Sequence, residues 1–339
     1  MNTPLVSVVM PIFNMQKYVE LALLSVKQQT YSNLEIICVN DGSTDNSVDI
    51  VEQFDDPRIK LVNQANQGLS AARNTGMSHA SGKYIALLDP DDLWLPEKIA
   101  QHVAHLERSP EVGISYCPSL FITEEGKRNG LGQFPKLEDI SLKTVMCRNP
   151  IGNGSAPVIR KAMLDELSIA LPRHHSGRTC FFDEAMRQSE DIDFWIYCAL
   201  NANYKIEGIA KPLTLYRINA NGLSANLAKQ FRAWEYCMQK HLASAPFKVA
   251  PLYKKARAYQ YRYLARRAVQ SRSTSDAICY LYKAFKSDAS IVTEEPKKTF
   301  ITVASALLSA LPGRLYSACE GAVLHMLERR KQRLLKAVL

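Results

Sequence analysis

Apolar and polar positions alternate in blocks along the first 115 residues, and the period of the blocks switches. Val6-Ser7-Val8-Val9-Met10 is a β-branched run stopped at Pro11, whereas Tyr18 to Gln29 places Val19, Leu23 and Val26 on one helical face. Leu34 to Val39 is a second apolar run, ended by Asn40-Asp41-Gly42; Ser43-Thr44-Asp45 then caps a helix running to about Phe54. Ile59 to Val62 predicts a third strand, Leu69 to Ser78 a helix, and Tyr84 to Leu88 a fourth strand. This alternation predicts βαβ units and a largely parallel sheet, with ligands bound beyond the carboxyl ends of the strands. Those ends carry Pro11 to Asn14, Asn40 to Ser43 and Asp89 to Asp92.

Residues 116–228 are less regular. Two elements stand out: Ser189 to Trp195, opening a helix, and Leu213 to Arg217, expected as an edge strand. Lys254 to Gln270 and Ser275 to Lys286 read as a helical hairpin around Ser271-Arg272-Ser273, and residues 299–339 as a final amphipathic stretch. The expected organisation is therefore an α/β domain over 1–228 and a helical extension over 229–339.

Composition adds a division that patterning misses. The chain has 339 residues, 47% hydrophobic and 22% charged, which excludes disordered and coiled-coil classes. Its net charge of +9 is uneven: residues 1–228 sum to −5 and residues 229–339 to +14. Such a basic extension suits a polyanionic surface, either nucleic acid or an anionic membrane leaflet. The eight cysteines form no C-x-x-C pair and several lie in apolar runs, which reads as reduced, buried thiols and not as zinc or disulfide sites. Met1 to Pro4 does not begin a secretory signal, and the stretch nearest to a membrane span, the uncharged Thr299 to Gly313, is too short for one. The expected location is cytoplasmic, on the inner face of the membrane.

Chemistry concentrates at four places. Leu87-Leu88-Asp89-Pro90-Asp91-Asp92 runs a buried strand into three carboxylates, a costly crowding unless a cation joins them. Oxygen-only ligands favour Mg²⁺ or Mn²⁺. Asp92 is equally suited to cap the helix expected near Leu95-Pro96. Asn40 to Asp45 combines a strand end, a tight turn and a helix start, suited to an anion, a base edge or a ribose hydroxyl, or simply to a turn with its cap. In Asn66 to Gly76, small residues permit close backbone approach, and Arg73 either meets a phosphate or base or makes a salt bridge. Glu190, Asp191 and Asp193 with Trp195 offer a general base beside an aromatic face for a sugar, or merely acids that complement a helix dipole.

Together, in this order, Val8 to Asn14, Asn40 to Asp45, Asn66 to Gly76, Asp89 to Asp92, Glu190-Asp191 and Tyr216-Arg217 resemble the family 2 glycosyltransferases, over about residues 5–225. The resemblance implies the GT-A fold, a Rossmann-like, mainly parallel sheet flanked by helices, and inverting transfer from a nucleotide-diphosphate sugar. It implies that Asp41 and Arg73 hold the nucleoside in a pocket lined by Pro11, Phe13 and Glu20. It further implies that Asp89 and Asp91 form the pair that binds the ribose and a Mg²⁺ or Mn²⁺ ion, and that Asp191 is the base. Arg217 falls where the family places a closing segment, so it either touches the diphosphate or pairs structurally. His174 and His175 lie in a polar loop, either reaching the acceptor or diphosphate or solvated.

No Q-x-x-R-W motif of processive synthases is present, which points to transfer of a single sugar. Relatives of this size usually act on surface polysaccharides, so a glycan or lipid-linked saccharide is the expected acceptor, in capsule, exopolysaccharide or lipopolysaccharide synthesis. Two other classes compete. A nucleotidyltransferase needs a Gly-rich basic loop where this chain has Pro11 to Met15. A nucleic-acid-binding module would use the basic extension, but its aromatics sit at helical spacing, as core residues do.

Overall fold

The computed structural model describes residues 3–218 and 226–311. The chain begins with β1 (Val6–Ile12), α1 (Val19–Lys27), β2 (Leu34–Asp41), α2 (Ser47–Glu52), β3 (Ile59–Gln64), α3 (Leu69–Ser78) and β4 (Tyr84–Leu87), as the alternation predicts. Then come β5 (Leu93–Trp94), α4 (Lys98–Arg108), β6 (Val112–Tyr116), β7 (Ser119–Ile122), β8 (Arg128–Gln133), α5 (Leu142–Arg148), β9 (Val158–Arg160), α6 (Lys161–Ser168), α7 (Glu190–Asn201), β10 (Lys205–Gly208) and β11 (Thr214–Arg217).

Seven strands form the central sheet in the order β10-β6-β9-β4-β1-β2-β3. All its pairings are parallel except those of β9, which runs antiparallel to both β4 and β6. Every residue of β1 is buried, as expected of a strand covered on both faces. On one face Val6, Val8 and Met10 pack with Val19, Leu23 and Val26 of α1 and with Ile99, Val103 and Leu106 of α4. Each such side chain contributes roughly 1.5–3 kcal/mol on burial. On the other face α3 lies close to β1: a Cβ on Gly76 would sit 2.3 Å from Val9 Cγ1. A second sheet has the order β5-β11-β7-β8. In it β11 lies between β5 and β7, so it is an internal strand and not the expected edge strand.

The chain divides into two compact units at Pro251 and Leu252. The sequence expectation set the boundary at 228. The first unit runs further because α8 (Leu227–Ser244) packs on α7 through buried Trp234, Cys237, Met238 and His241. The division falls within α9 (Pro246–Gln270). The second unit holds the rest of α9, α10 (Thr274–Ser287), α11 (Ile291–Glu294) and α12 (Pro296–Leu308), with the hairpin turn at Ser271-Arg272-Ser273 as expected. Arg262 donates to Thr299 Oγ1 and pairs with Glu295, fixing α12 against α9. Among the described residues no helix is long and apolar enough to cross a membrane. The basic tail Arg329 to Arg333 and Cys319 lie outside the described residues.

Candidate active site

Parallel register brings the ends of β1, β2 and β4 together: Ile12 faces Asn40, and Val9 faces Leu87. The loops after β1 and β2 are laced to each other. Asn14 Oδ1 accepts from Thr44 N at 2.8 Å, Ser47 Oγ accepts from Met15 N at 2.7 Å, and Asp45 Oδ2 accepts from Gln16 N at 3.0 Å. The polar run after Asp41 therefore spends its side chains on loop structure. Asp45 also accepts from Ser47 N, the first residue of α2, but the N-cap is Asn46 and makes no side-chain cap hydrogen bond, so the expected cap falls one residue short of the helix. Asp41 is buried and anchors the loop before α3, accepting from Gln64 Nε2, Gln67 N and Gly68 N at 2.7–2.8 Å. Pro11 is buried within β1, whereas Phe13 is 44% exposed and Glu20 exposed on the first turn of α1.

Arg73 organises the centre. It is buried on α3, donating through Nη2 to Asp89 Oδ1 at 2.6 Å and through Nη1 to Glu190 Oε1 at 2.8 Å. Its guanidinium lies over the Phe182 ring, 5.4 Å from the centroid, and its Nε is buried without a hydrogen-bond partner. This is the salt-bridge alternative of the sequence reading: each terminal nitrogen reaches a carboxylate, one from β4's end and one from α7's start. Burial and the nearby Asp89 charge push Asp91 up to about 6. Asp92 does not cap a helix, because α4 begins only at Lys98. It is wholly buried, accepts from Ser155 Oγ at 2.6 Å and from Arg217 N at 2.9 Å, and is held well above the usual carboxylate range by burial and its acidic neighbours.

The start of α7 carries the second acidic set. Ser189 adopts a left-handed φ of 62°, a local strain of the kind that concentrates at functional sites. Burial, then the charge of Glu190, push Asp191 up to about 7, while Arg73 opposes the shift. A carboxyl poised there suits proton abstraction near neutral pH. Asp193 has a different partner set: Lys240 Nζ lies 2.8 Å from its Oδ2 and His241 Nε2 3.0 Å from its Oδ1, both on α8. The His241 imidazole and the Lys240 ammonium hold its carboxyl below the usual range despite burial, so it is a weaker base than Asp191. Trp195 is fully buried between α7 and the core and offers no face to a sugar.

Arg217 is buried and donates to the main-chain oxygens of Asp91, Thr123 and Glu124, which is structural pairing; its Nη2 alone lacks a partner. The His175 and His174 rings lie 3.7 Å apart, tilted by 42°, in the loop bridged by Arg173 and Thr179, and among the described residues no hydrogen bond links that pair to the acidic centre. Two residues absent from the sequence reading complete the site. Ser155 Oγ joins Asp92 to Asp89, accepting from Asp89 N at 3.0 Å. A Cβ on Gly154 would fall 2.4 Å from Arg73 Nη2 and 2.8 Å from Asp89 Oδ2. Their one sequence signal is the Gly/Asn/Ser run Gly152 to Ser155 between two periodic segments.

Residues 7–168 match the profile of Glycosyl transferase family 2. An uncharacterized glycosyltransferase of Haemophilus influenzae is 30% identical over 240 residues, 66% of this chain and 68% of that protein. The chain belongs to glycosyltransferase family 2. Within that family it is similar to the UDP-Glc:alpha-D-GlcNAc-diphosphoundecaprenol beta-1,3-glucosyltransferase WfgD of Escherichia coli, 27% identical over 237 residues, 69% of this chain and 86% of WfgD. Among solved structures, the mannosyltransferase PcManGT from Pyrobaculum calidifontis, in complex with GDP-Man and Mn²⁺, superposes with a TM-score of 0.55 at 20% identity, covering 91% of this chain and 86% of that one. The family 2 chain thus carries the GT-A fold its strand order describes.

Proposed function

We propose that this glycosyltransferase moves one sugar, with inversion, from a UDP-sugar to a hydroxyl of a lipid-linked saccharide or glycan in surface polysaccharide synthesis. The observation that carries the reading is the Arg73 bridge, which sets Asp89, Glu190 and hence Asp191 around one centre. The likeness to WfgD supports a UDP donor and a diphosphate-lipid acceptor.

Asp191 takes the proton from the acceptor hydroxyl as its oxygen attacks the anomeric carbon. The bond from that carbon to the diphosphate oxygen breaks in the same displacement, and one displacement inverts the centre. The exposed Phe13 and Glu20 face the nucleoside, and Asp41 acts from beneath by holding the Gln67-Gly68 loop. The partnerless Nη2 of Arg217, on a guanidinium bonded to the Asp91 carbonyl, is assigned to the diphosphate.

The donor set fits Mg²⁺ or Mn²⁺: Asp89 and Asp91 supply hard oxygens, and the raised Asp91 marks a carboxyl pair that a cation would relieve. Bound there, the ion would offset the charge of the departing nucleoside diphosphate. The Mn²⁺ in PcManGT is in keeping with this.

A membrane-surface location follows from the acceptor and from α12. That helix buries Thr299, Thr302 and Ala306 but exposes Phe300 and Ile301 beside Lys297 and Lys298. We assign this face to an anionic leaflet, peripherally and at the inner side of the membrane.

A screen of nucleotide sugars for released nucleoside diphosphate, with undecaprenyl-diphosphate-linked sugars as acceptors and with or without EDTA, tests the whole reading. Acceptor-dependent UDP release abolished by EDTA is expected. Release with no nucleotide sugar, or release indifferent to EDTA, would refute donor class or metal respectively.

A further inference from the structure

Behind the acidic centre, α7 and α8 bring together three buried side chains whose chemistry differs from that of Asp89 and Asp91. Cys237 and His241 are one helical turn apart on α8, so both project from the same face. Asp193 faces them from α7. One donor atom from each of the three lies within 4.8 Å of the other two, and all three residues are buried.

Their polar contacts are incomplete in an informative way. Asp193 Oδ2 is satisfied by Lys240 Nζ, which also bonds Asp183 Oδ2, both at 2.8 Å. Asp193 Oδ1 is buried without a hydrogen bond, although His241 Nε2 lies only 3.0 Å away. His241 Nε2 and the buried Asp193 Oδ1 face each other at 3.0 Å, so loss of the Nε2 proton would leave two lone pairs directed at one point. Nε2 is also 3.2 Å from the main-chain oxygen of Asp193, which offers a further oxygen donor on the same side.

We propose that Asp193, Cys237 and His241 bind a zinc-like divalent transition ion that clamps α8 to α7. Thiolate, imidazole and carboxylate together select zinc over the hard cations suited to Asp89 and Asp91. Charge balances: two ligand anions neutralise the ion, and Lys240 remains paired with Asp183. On binding, the Cys237 thiol releases its proton to solvent and the His241 imidazole coordinates neutral through Nε2. The absence of a C-x-x-C pair hides the site in sequence, because two ligands come from a Cys-x-x-x-His helical turn and the third from 44 positions upstream. The competing arrangement is a metal-free cluster in which His241 Nε2–H donates to Asp193 O and the thiol is inert.

The test uses the full chain purified under reducing conditions, exposed to Zn²⁺ in excess Mg²⁺ and desalted. Elemental analysis should find about one zinc per chain. Cys237→Ser and His241→Ala should each lower it to background, while Asp91→Ala should leave it unchanged. Cobalt replacement should give a thiolate-to-cobalt charge-transfer band that Cys237→Ser abolishes, a signature no oxygen-only site produces. Circular dichroism checks that Cys237→Ser folds. If the wild-type chain retains no zinc, if Cys237→Ser retains it, or if the cobalt form lacks the band, the site is refuted whatever the variants' stability.

Discussion

Arg73 and Asp89 meet at 2.6 Å with the guanidinium almost wholly out of water, and the same guanidinium reaches Glu190 from 117 positions away. A planar fork serves two carboxylates at once, which a lysine ammonium on a flexible stem does not reproduce. Arg73→Lys should therefore fold but lose roughly 10²-fold or more in kcat/KM, in line with the cost of misplacing a positioned group. Arg73→Ala should also lower stability by about 3–5 kcal/mol, since it strands the buried Glu190 and the half-buried Asp89. Chemical denaturation beside steady-state kinetics separates the two. Near-wild-type turnover in Arg73→Lys would mean the bridge does not organise the site.

Gly154→Ala tests the same centre sterically. The new methyl would lie 2.4 Å from Arg73 Nη2, and Arg73 is held on both sides. Overpacking of this kind costs about 1–3 kcal/mol. The expected result is a modest loss of melting temperature and a disproportionate loss of kcat. A variant with full kcat would show that the guanidinium has room to move.

Acid sensitivity should report Asp191. Its carboxyl is pushed up to about 7, and a base works only when ionised, so kcat/KM should fall as pH drops through about 7 and level off above it. Glu190→Gln removes the adjacent negative charge and frees Arg73 to favour ionised Asp191. Both changes lower the pKa, so the acid limb should move to lower pH. An acid limb that Glu190→Gln leaves in place assigns the titration to another group.

How much of this was legible follows from where each residue gets its neighbours. The strands β1, β2 and β4 were readable because burial on both faces leaves continuous apolar runs, and Asp89 and Asp91 were readable because nothing in a strand end explains crowded acids. Gly154 and Ser155 were not, since the antiparallel β9 brings them to the site from a loop without periodicity. Trp195 and Asp193 misled for a related reason. The run Phe194-Trp195-Ile196 is buried core, and Asp193 answers to Lys240 and His241 on a helix that sequence reasoning placed outside the domain.

Membrane attachment should depend on α12. Phe300 and Ile301 are 72% and 61% exposed, beside Lys297 and Lys298. Each basic side chain near an anionic leaflet contributes about 1 kcal/mol, and apolar burial adds to it. Phe300→Glu with Ile301→Glu should release the protein from anionic liposomes at low salt without altering turnover on a water-soluble acceptor. Unchanged sedimentation would refute the assignment of this face.

Asp191→Asn is the sharpest probe of proton removal from the acceptor, because it keeps the shape of Asp191 and removes the proton acceptor. Calorimetric titration with the donor nucleotide sugar, run beside kcat at saturating donor and acceptor, should show nearly unchanged donor affinity and a roughly 10²–10⁴-fold loss of kcat. Wild-type turnover at saturation, with weakened donor binding, would contradict the account and move Asp191 to the donor side of the site.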